Sequence, residues 1–357
     1  MKFNLKTKEL MISARVENEG TSSQFVVIER VSAFPVAKQH IESITLPENV
    51  IVDGYPVNIE EIGLHAFRET DCDKLILPNR VRVLHERALS LITAKEVIIP
   101  SSIVEIPEKC FYRSTIKKIT FLSPQNIKSV RKGAFKSVKG LQELNWPAGC
   151  KYIPCECFFG AYIKKLKGIK NVEDIGSMAF AATSELKSLS WPAKCKTVPE
   201  SCFMNSYIQK INGLENVSVI GNGAFQGTPS LNSLSWPSQC QKIPERCFQG
   251  SSIKGLSNTA RVQEVEDLAF KNSLLESIDL PKVECIGCGA LDTPELRKVS
   301  LGNDESIKLT INAFAFPDNW NINVEKYQQV EVFANAETDM PTMTGSFDTE
   351  LIISPTP

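Results

Sequence analysis

Leu141-Gln-Glu-Leu144-Asn-Trp146-Pro147, Leu186-Lys-Ser-Leu189-Ser-Trp191-Pro192 and Leu231-Asn-Ser-Leu234-Ser-Trp236-Pro237 are three forms of one phrase, each 45 residues after the last. Apolar residues fall at its first, fourth and sixth places, and proline ends it. A helix needs ten or more residues of 3.6 periodicity, so a six-residue run stopped by proline reads as a short strand entering a turn. Between these copies stand others without tryptophan, such as Ile163-Lys-Lys-Leu166-Lys-Gly168 and Ile208-Gln-Lys-Ile211-Asn-Gly213. The strand therefore recurs about every 22 residues, and two coils make one larger unit.

A second mark keeps the same beat. Phe67, Leu89, Phe111, Phe135, Phe158, Phe180, Phe203, Phe225, Phe248, Phe270, Leu291 and Phe314 are spaced by 21 to 24 residues. The residue before each is always Ala or Cys, as in Ala66, Cys110, Cys157 and Ala313. A position that admits only these two side chains lies where something approaches closely.

The L-x-x-L-x-L strand at this period resembles a leucine-rich repeat. The return segment Ile-(Gly/Pro)-x-x-(Ala/Cys)-Phe, seen in Ile62-Gly63-Leu-His-Ala66-Phe67 and Ile175-Gly176-Ser-Met-Ala179-Phe180, narrows the resemblance to the BspA-like family of bacterial surface proteins. The resemblance implies a β-rich α/β solenoid, a right-handed superhelix with a parallel sheet on its concave face. About twelve repeats are expected over residues 41–314, flanked by an N-terminal cap (1–40) and a C-terminal cap and tail (315–357). A single repeat cannot bury enough apolar surface to offset its chain entropy, so the coils must stack to fold at all. Opposite Trp146, Trp191 and Trp236 the alternate coils carry Gly168, Gly213 and Asn258, which suggests that each indole spreads over the space its small neighbour leaves.

Lys+Arg (40) and Asp+Glu (41) nearly cancel, so no global charge directs the chain to nucleic acid, and no aromatic interleaving offers bases a stacking platform. No segment reaches membrane-spanning length. Residues 1–16 lack the unbroken apolar core of a signal peptide, which leaves a cytoplasmic protein and a trimmed exported one equally open. Eleven cysteines in 357 residues are too sparse for a disulfide scaffold, and the redox compartment stays open.

Catalytic chemistry has little to stand on. The three histidines are His40, His65 and His85, and the last two fall inside repeat motifs. Cys285-Ile-Gly-Cys288 is a C-x-x-C pair, but it stands alone and overlays the Ile-Gly of its coil. Gly221-Asn-Gly223 is likewise in register with Gly176 and reads as a turn. Cys150, Cys195, Cys240, Cys157, Cys202 and Cys247 are expected to be small buried side chains. Cys155 and Cys288 lean outward and are the expected reactive thiols. Asn216-Val-Ser218 matches a glycosylation sequon, meaningful only in a eukaryotic secretory host. No cofactor or metal is expected, and the chain is expected to be a monomer and not an enzyme.

The second, third and fifth places of each strand point away from the core. Between residues 116 and 258 these places hold Lys117, Lys118, Lys164, Lys165, Lys167, Lys187, Lys210 and Lys254 against the single acid Glu143. That lysine-rich face, with Lys118, Lys165, Lys167 and Lys210 at its centre, is the expected contact surface for a protein or acidic glycan ligand. The family resemblance implies adhesion or recognition at the cell surface. The alternative is a structural spacer that projects another domain, whose lysines only keep an open sheet soluble.

Overall fold

A computed structural model describes residues 2–6, 10–33, 41–301, 308–312, 314–317, 321–323, 329–333, 342–344 and 351–354. The chain forms two compact units, residues 1–186 and 187–357. Each is a β-solenoid whose successive coils are joined by parallel ladders.

In the first unit one sheet runs in strict chain order through Ile41–Thr45, Asp71–Ile76, Thr93–Ile99, Thr115–Phe121, Glu143–Asn145 and Lys165–Lys167. A second row of two-residue strands, among them Glu105–Ile106, Ser129–Val130, Tyr152–Ile153 and Asp174–Ile175, carries the return side. The strands Leu10–Glu17 and Phe25–Ala33 form the N-terminal hairpin, antiparallel from Leu10↔Ala33 to Glu17↔Phe25. Phe25–Ala33 then pairs in parallel with Tyr55–Ile62, the start of the return row.

The second unit repeats the plan. Ser188–Ser190 pairs with Lys210–Asn212, and a four-stranded sheet joins Ser233–Ser235, Gly255–Ser257, Ser277–Leu280 and Lys298–Leu301. Its return row continues in parallel through Lys308–Ile311, Gln329–Phe333 and Leu351–Ser354, so the C-terminal segment adds further rungs to the same ladder.

The expected α/β class needs correction. Among the described residues the only helices are two single 3-10 turns, Ile169–Asn171 and Leu214–Asn216. The return segment has no length for a helix because it bends twice. The residue two before each core aromatic from Phe67 to Phe270 and the residue two after it take left-handed backbone, as at Glu156 and Gly160 around Phe158 or Arg246 and Gly250 around Phe248. Two such bends within five residues break any run of α-helical dihedrals.

Between the bends the backbones of adjacent coils touch. Phe111 N–H donates to the Ala134 carbonyl at 2.9 Å, Phe135 to Cys157 at 3.0 Å, and Phe248 to Ala269 at 2.7 Å. This third ladder explains the Ala or Cys before each core residue, since these side chains are fully buried where the ladder joins adjacent coils. The rings stack in register. Phe111, Phe135, Phe158 and Phe180 follow at 5.3, 5.4 and 5.7 Å, and Phe203, Phe225, Phe248 and Phe270 at 5.8, 5.3 and 5.2 Å. Near-parallel rings at that spacing are offset stacks, which add stabilisation beyond burial.

Two sequence readings change at this level. The core aromatic of the last coil is Phe316, preceded by Ala315, whose carbonyl accepts from Leu291 N–H at 2.7 Å. Phe314 is instead 46% exposed and occupies the left-handed bend two residues earlier. The small residues opposite the tryptophans also have another cause. Gly168 and Gly213 adopt φ of 78° and 86°, and a Cβ on either would press the carbonyl of Trp146 or Trp191. Asn258 takes the same bend at φ 63° and donates its amide to the Trp236 carbonyl at 2.7 Å. The indoles are fixed by their own turns, with Nε1 donating to the carbonyls of Cys150, Cys195 and Cys240 at 3.1, 3.2 and 3.0 Å.

Candidate functional site

The outward places of the first unit's sheet are set by cross-strand register. Ser43, Lys74, Glu96, Lys118, Glu143 and Lys165 lie opposite one another on six consecutive strands. From Lys74 onward their charges alternate. Lys118 Nζ sits 2.8 Å from Glu96, Lys74 Nζ 3.8 Å from the same carboxylate, and Lys167 Nζ 2.7 Å from Glu143. Lys118 and Thr120 hydrogen-bond the Glu96 carboxylate and hold its pKa below the usual range. The expected lysine face is therefore partly a self-neutralising charge ladder. Residues 116–258 contain Glu143 but neither Glu96 nor, in the second unit, Glu276, each of which lies one coil beyond that stretch.

Of the candidate residues in this unit, Lys118, Glu143, Lys165 and Lys167 come together on three adjacent strands. Lys165 is exposed and, among the described residues, has no carboxylate at ion-pair distance. The same holds for Lys117 and Lys164. Lys165 lies in the cross-strand register, Lys117 and Lys164 each precede a residue of it, and Lys118 and Lys167 are already paired.

In the second unit Lys210 is exposed opposite Ser188. Lys187 reaches over the Tyr207 ring at 5.0 Å. Lys254 is paired with Glu276 at 3.0 Å, beside a different sheet from Lys210. Lys187, Lys210 and Lys254 do not form one continuous basic row there.

The remaining candidates fall into place as parts of the coil. His65 Nδ1 lies 2.8 Å from Ser90 Oγ, and burial followed by the nearby Arg87 and Arg68 lowers its pKa. His85 Nε2 meets Glu61 at 2.6 Å; His40 lies outside the described residues. Every cysteine is a free thiol. Burial pushes Cys150 and Cys240 up to about 11 and Cys157 and Cys247 further. Cys288 is also raised, chiefly by burial, which makes it a poorer nucleophile at neutral pH than its outward register suggested. Cys155 lines an open cleft. Among the described residues no group of three His, Cys, Asp or Glu side chains could hold a metal ion, and no helix is long and apolar enough to cross a membrane.

Sequence reasoning missed that cleft. It lies on the return side of the first unit and takes its basic character from Lys128, Arg131, Lys132 and Lys151. None of these belongs to an L-x-x-L-x-L strand. The available signal was spacing: Phe111 to Phe135 is 24 residues, the longest interval between successive core residues of this unit, and the extra chain forms the turn that carries Lys128.

A family profile described as BspA type leucine rich repeat region (6 copies) matches residues 32–124, 60–187, 173–296 and 218–335. Among solved structures, a leucine-rich repeat protein from Bacteroides ovatus ATCC 8483 gives a TM-score of 0.72 at 17% identity, covering 99% of this chain and 91% of its own. The pneumococcal vaccine antigen PcpA gives 0.54 at 16% identity, covering 94% of each chain. At such identities the likeness is one of fold. No curated protein sequence matches this chain.

Proposed function

The chain belongs to the BspA-type leucine-rich repeat family, and from that premise we propose that it is a non-catalytic recognition module that holds an acidic protein or glycan partner against the sheet of its first unit, at the cell surface. One observation carries this reading: Lys117, Lys164 and Lys165 stand exposed and, among the described residues, without carboxylate partners, beside Lys118 and Lys167, which are paired. Unpaired cations on a rigid sheet attract an acidic partner without first breaking internal ion pairs. Lys210 offers one further exposed cation in the second unit.

Poly-L-glutamate immobilised on a biosensor tests the reading. The wild-type protein is expected to bind it at physiological ionic strength, and the triple variant Lys117→Glu, Lys164→Glu, Lys165→Glu to lose about tenfold or more in affinity with its melting temperature preserved. Equal binding by the two proteins, or none by either, sinks the proposal.

A second reading, the structural spacer, draws on the charge ladder. A row that neutralises itself is what a solvated sheet needs when nothing docks on it. It predicts the second of those outcomes.

A further inference from the structure

We propose that the return-side cleft of the first unit is a binding site for a small acidic sugar, one bearing carboxylate or sulfate groups on a pyranose ring. The proposal stands on residues other than the sheet lysines and goes beyond the reading above.

The open cleft has a volume of about 580 Å³, within the range of sites that hold small molecules. It is built by chain geometry. The Pro147–Cys150 turn is pressed so close to residues 125–127 that a Cβ on Gly149 would lie 2.4 Å from the Ile127 carbonyl oxygen. This contact holds the turn leading to Lys151 against the longer turn that carries Lys128. Between them run the short strands Ser129–Val130 and Tyr152–Ile153.

Its charge is one-sided. Lys128, Arg131, Lys132 and Lys151 line it against the single acid Glu108, which is itself paired with Lys109 at 2.6 Å. Two of the cations are paired with carboxylates that do not belong to the lining. Arg131 is held by Glu105 at 2.7 Å, and Lys132 shares Glu156 with Lys136. Among the described residues Lys128 hydrogen-bonds only a backbone carbonyl, that of Gln125 at 3.0 Å. Lys151 makes an exposed pair with Glu173, and pairs of that kind contribute little and are readily exchanged. Lys128 and Lys151 are therefore the cations able to turn onto a ligand, and ammonium groups on flexible stems suit carboxylate and sulfate oxygens.

The rest of the lining favours a sugar over a bare anion. Buried Val130 and Pro154 and the 42% exposed Tyr152 supply apolar surface. The Tyr152 hydroxyl is anchored against the Cys155 sulfur at 3.8 Å and would lie 2.7 Å from a Cβ on Gly176, which fixes the ring across the next coil. A fixed aromatic ring beside cations matches a pyranose, whose C–H faces are apolar and whose substituents are polar or charged.

Isothermal titration of the full chain with a sulfated, uronate-containing disaccharide tests this, with cellobiose and inorganic sulfate as comparison ligands. Saturable one-to-one binding is expected for the acidic disaccharide, at least about tenfold tighter than for sulfate or cellobiose. The double variant Lys128→Gln, Lys151→Gln and the single variant Tyr152→Ala should each weaken it about tenfold or more at unchanged melting temperature. The Lys117, Lys164, Lys165 variant should bind as wild type, which separates this site from the sheet patch. No binding, equal affinity for sulfate or cellobiose, or indifference to the cleft substitutions overturns the proposal.

Discussion

Lys118 Nζ lies 2.8 Å from a carboxylate oxygen of Glu96, directly across two strands of one parallel sheet. Thr120 Oγ1 donates to the same carboxylate at 2.8 Å, so the glutamate is held by two coil neighbours at once. Its pKa is lowered in the folded state, first by Lys118 and then by Thr120. A lowered folded-state value means the contribution to stability is present above the ordinary carboxylate range and lost as the pH falls through the folded value. Glu96→Gln is therefore expected to destabilise by no more than about 1 kcal/mol at neutral pH. The difference from wild type should vanish on acidification. Urea unfolding of both proteins from pH 7 down to pH 3 checks this, and a gap that widens in acid would contradict it.

The left-handed bend opposite each tryptophan gives a sharper test. Gly168 places φ at 78° with the Trp146 carbonyl oxygen 3.1 Å from where a Cβ would sit. At the equivalent bend Asn258 shows how a side chain can be accepted, by donating its amide to the tryptophan carbonyl. Gly168→Asn should then cost less than about 1 kcal/mol, whereas Gly168→Val, β-branched and without a donor, should cost about 2 kcal/mol or more. Comparable melting temperatures for the two variants would show that the bend is not what selects glycine.

The repeat was legible because its marks are local and periodic. Strand places, the Ala or Cys before each core residue and the 45-residue tryptophan interval all survive in a single sequence. What failed depended on pairings between coils. The lysine count around residues 116–258 missed Glu96 and Glu276, although each lies 22 residues from the lysine it neutralises, one coil away. Phe314 kept the spacing and lost the core to Phe316, because the two Ala-Phe pairs are chemically alike and only the bend distinguishes them. The cleft left no motif, since Lys128 and Lys151 come from turns that the period constrains only in length.

The phenylalanine stack should be the most sensitive part of the core. Phe158 touches Phe135 and Phe180 at 5.4 and 5.7 Å and the edge of Trp146 at 6.0 Å, and it is fully buried. Phe158→Ala removes the ring between two layers that cannot collapse, because backbone hydrogen bonds on either side hold the coils apart. A loss of about 3–5 kcal/mol is expected, against about 1–2 kcal/mol for Phe158→Leu, the residue that coils at Leu89 and Leu291 already use. Denaturant titration distinguishes them, and equal small losses would mean the stack tolerates a void.

Thiol accessibility provides the last test, because it reads coil packing at eleven marked points. Cys72, Cys110, Cys150, Cys157, Cys195, Cys202, Cys240 and Cys247 are buried, and only Cys155, Cys285 and Cys288 reach solvent in part. Iodoacetamide reacts with the thiolate, so both burial and a raised pKa slow it. Burial raises Cys285 and Cys288, each with help from neighbouring acids, and it pushes Cys72 up to about 12. Native protein at pH 8 should therefore take up at most three adducts by intact mass, with Cys285 and Cys288 labelled faster as the pH rises. The eight buried thiols should react only after denaturation. Rapid labelling of Cys157 or Cys202 in the native protein would show that the third coil-to-coil ladder is not formed as described.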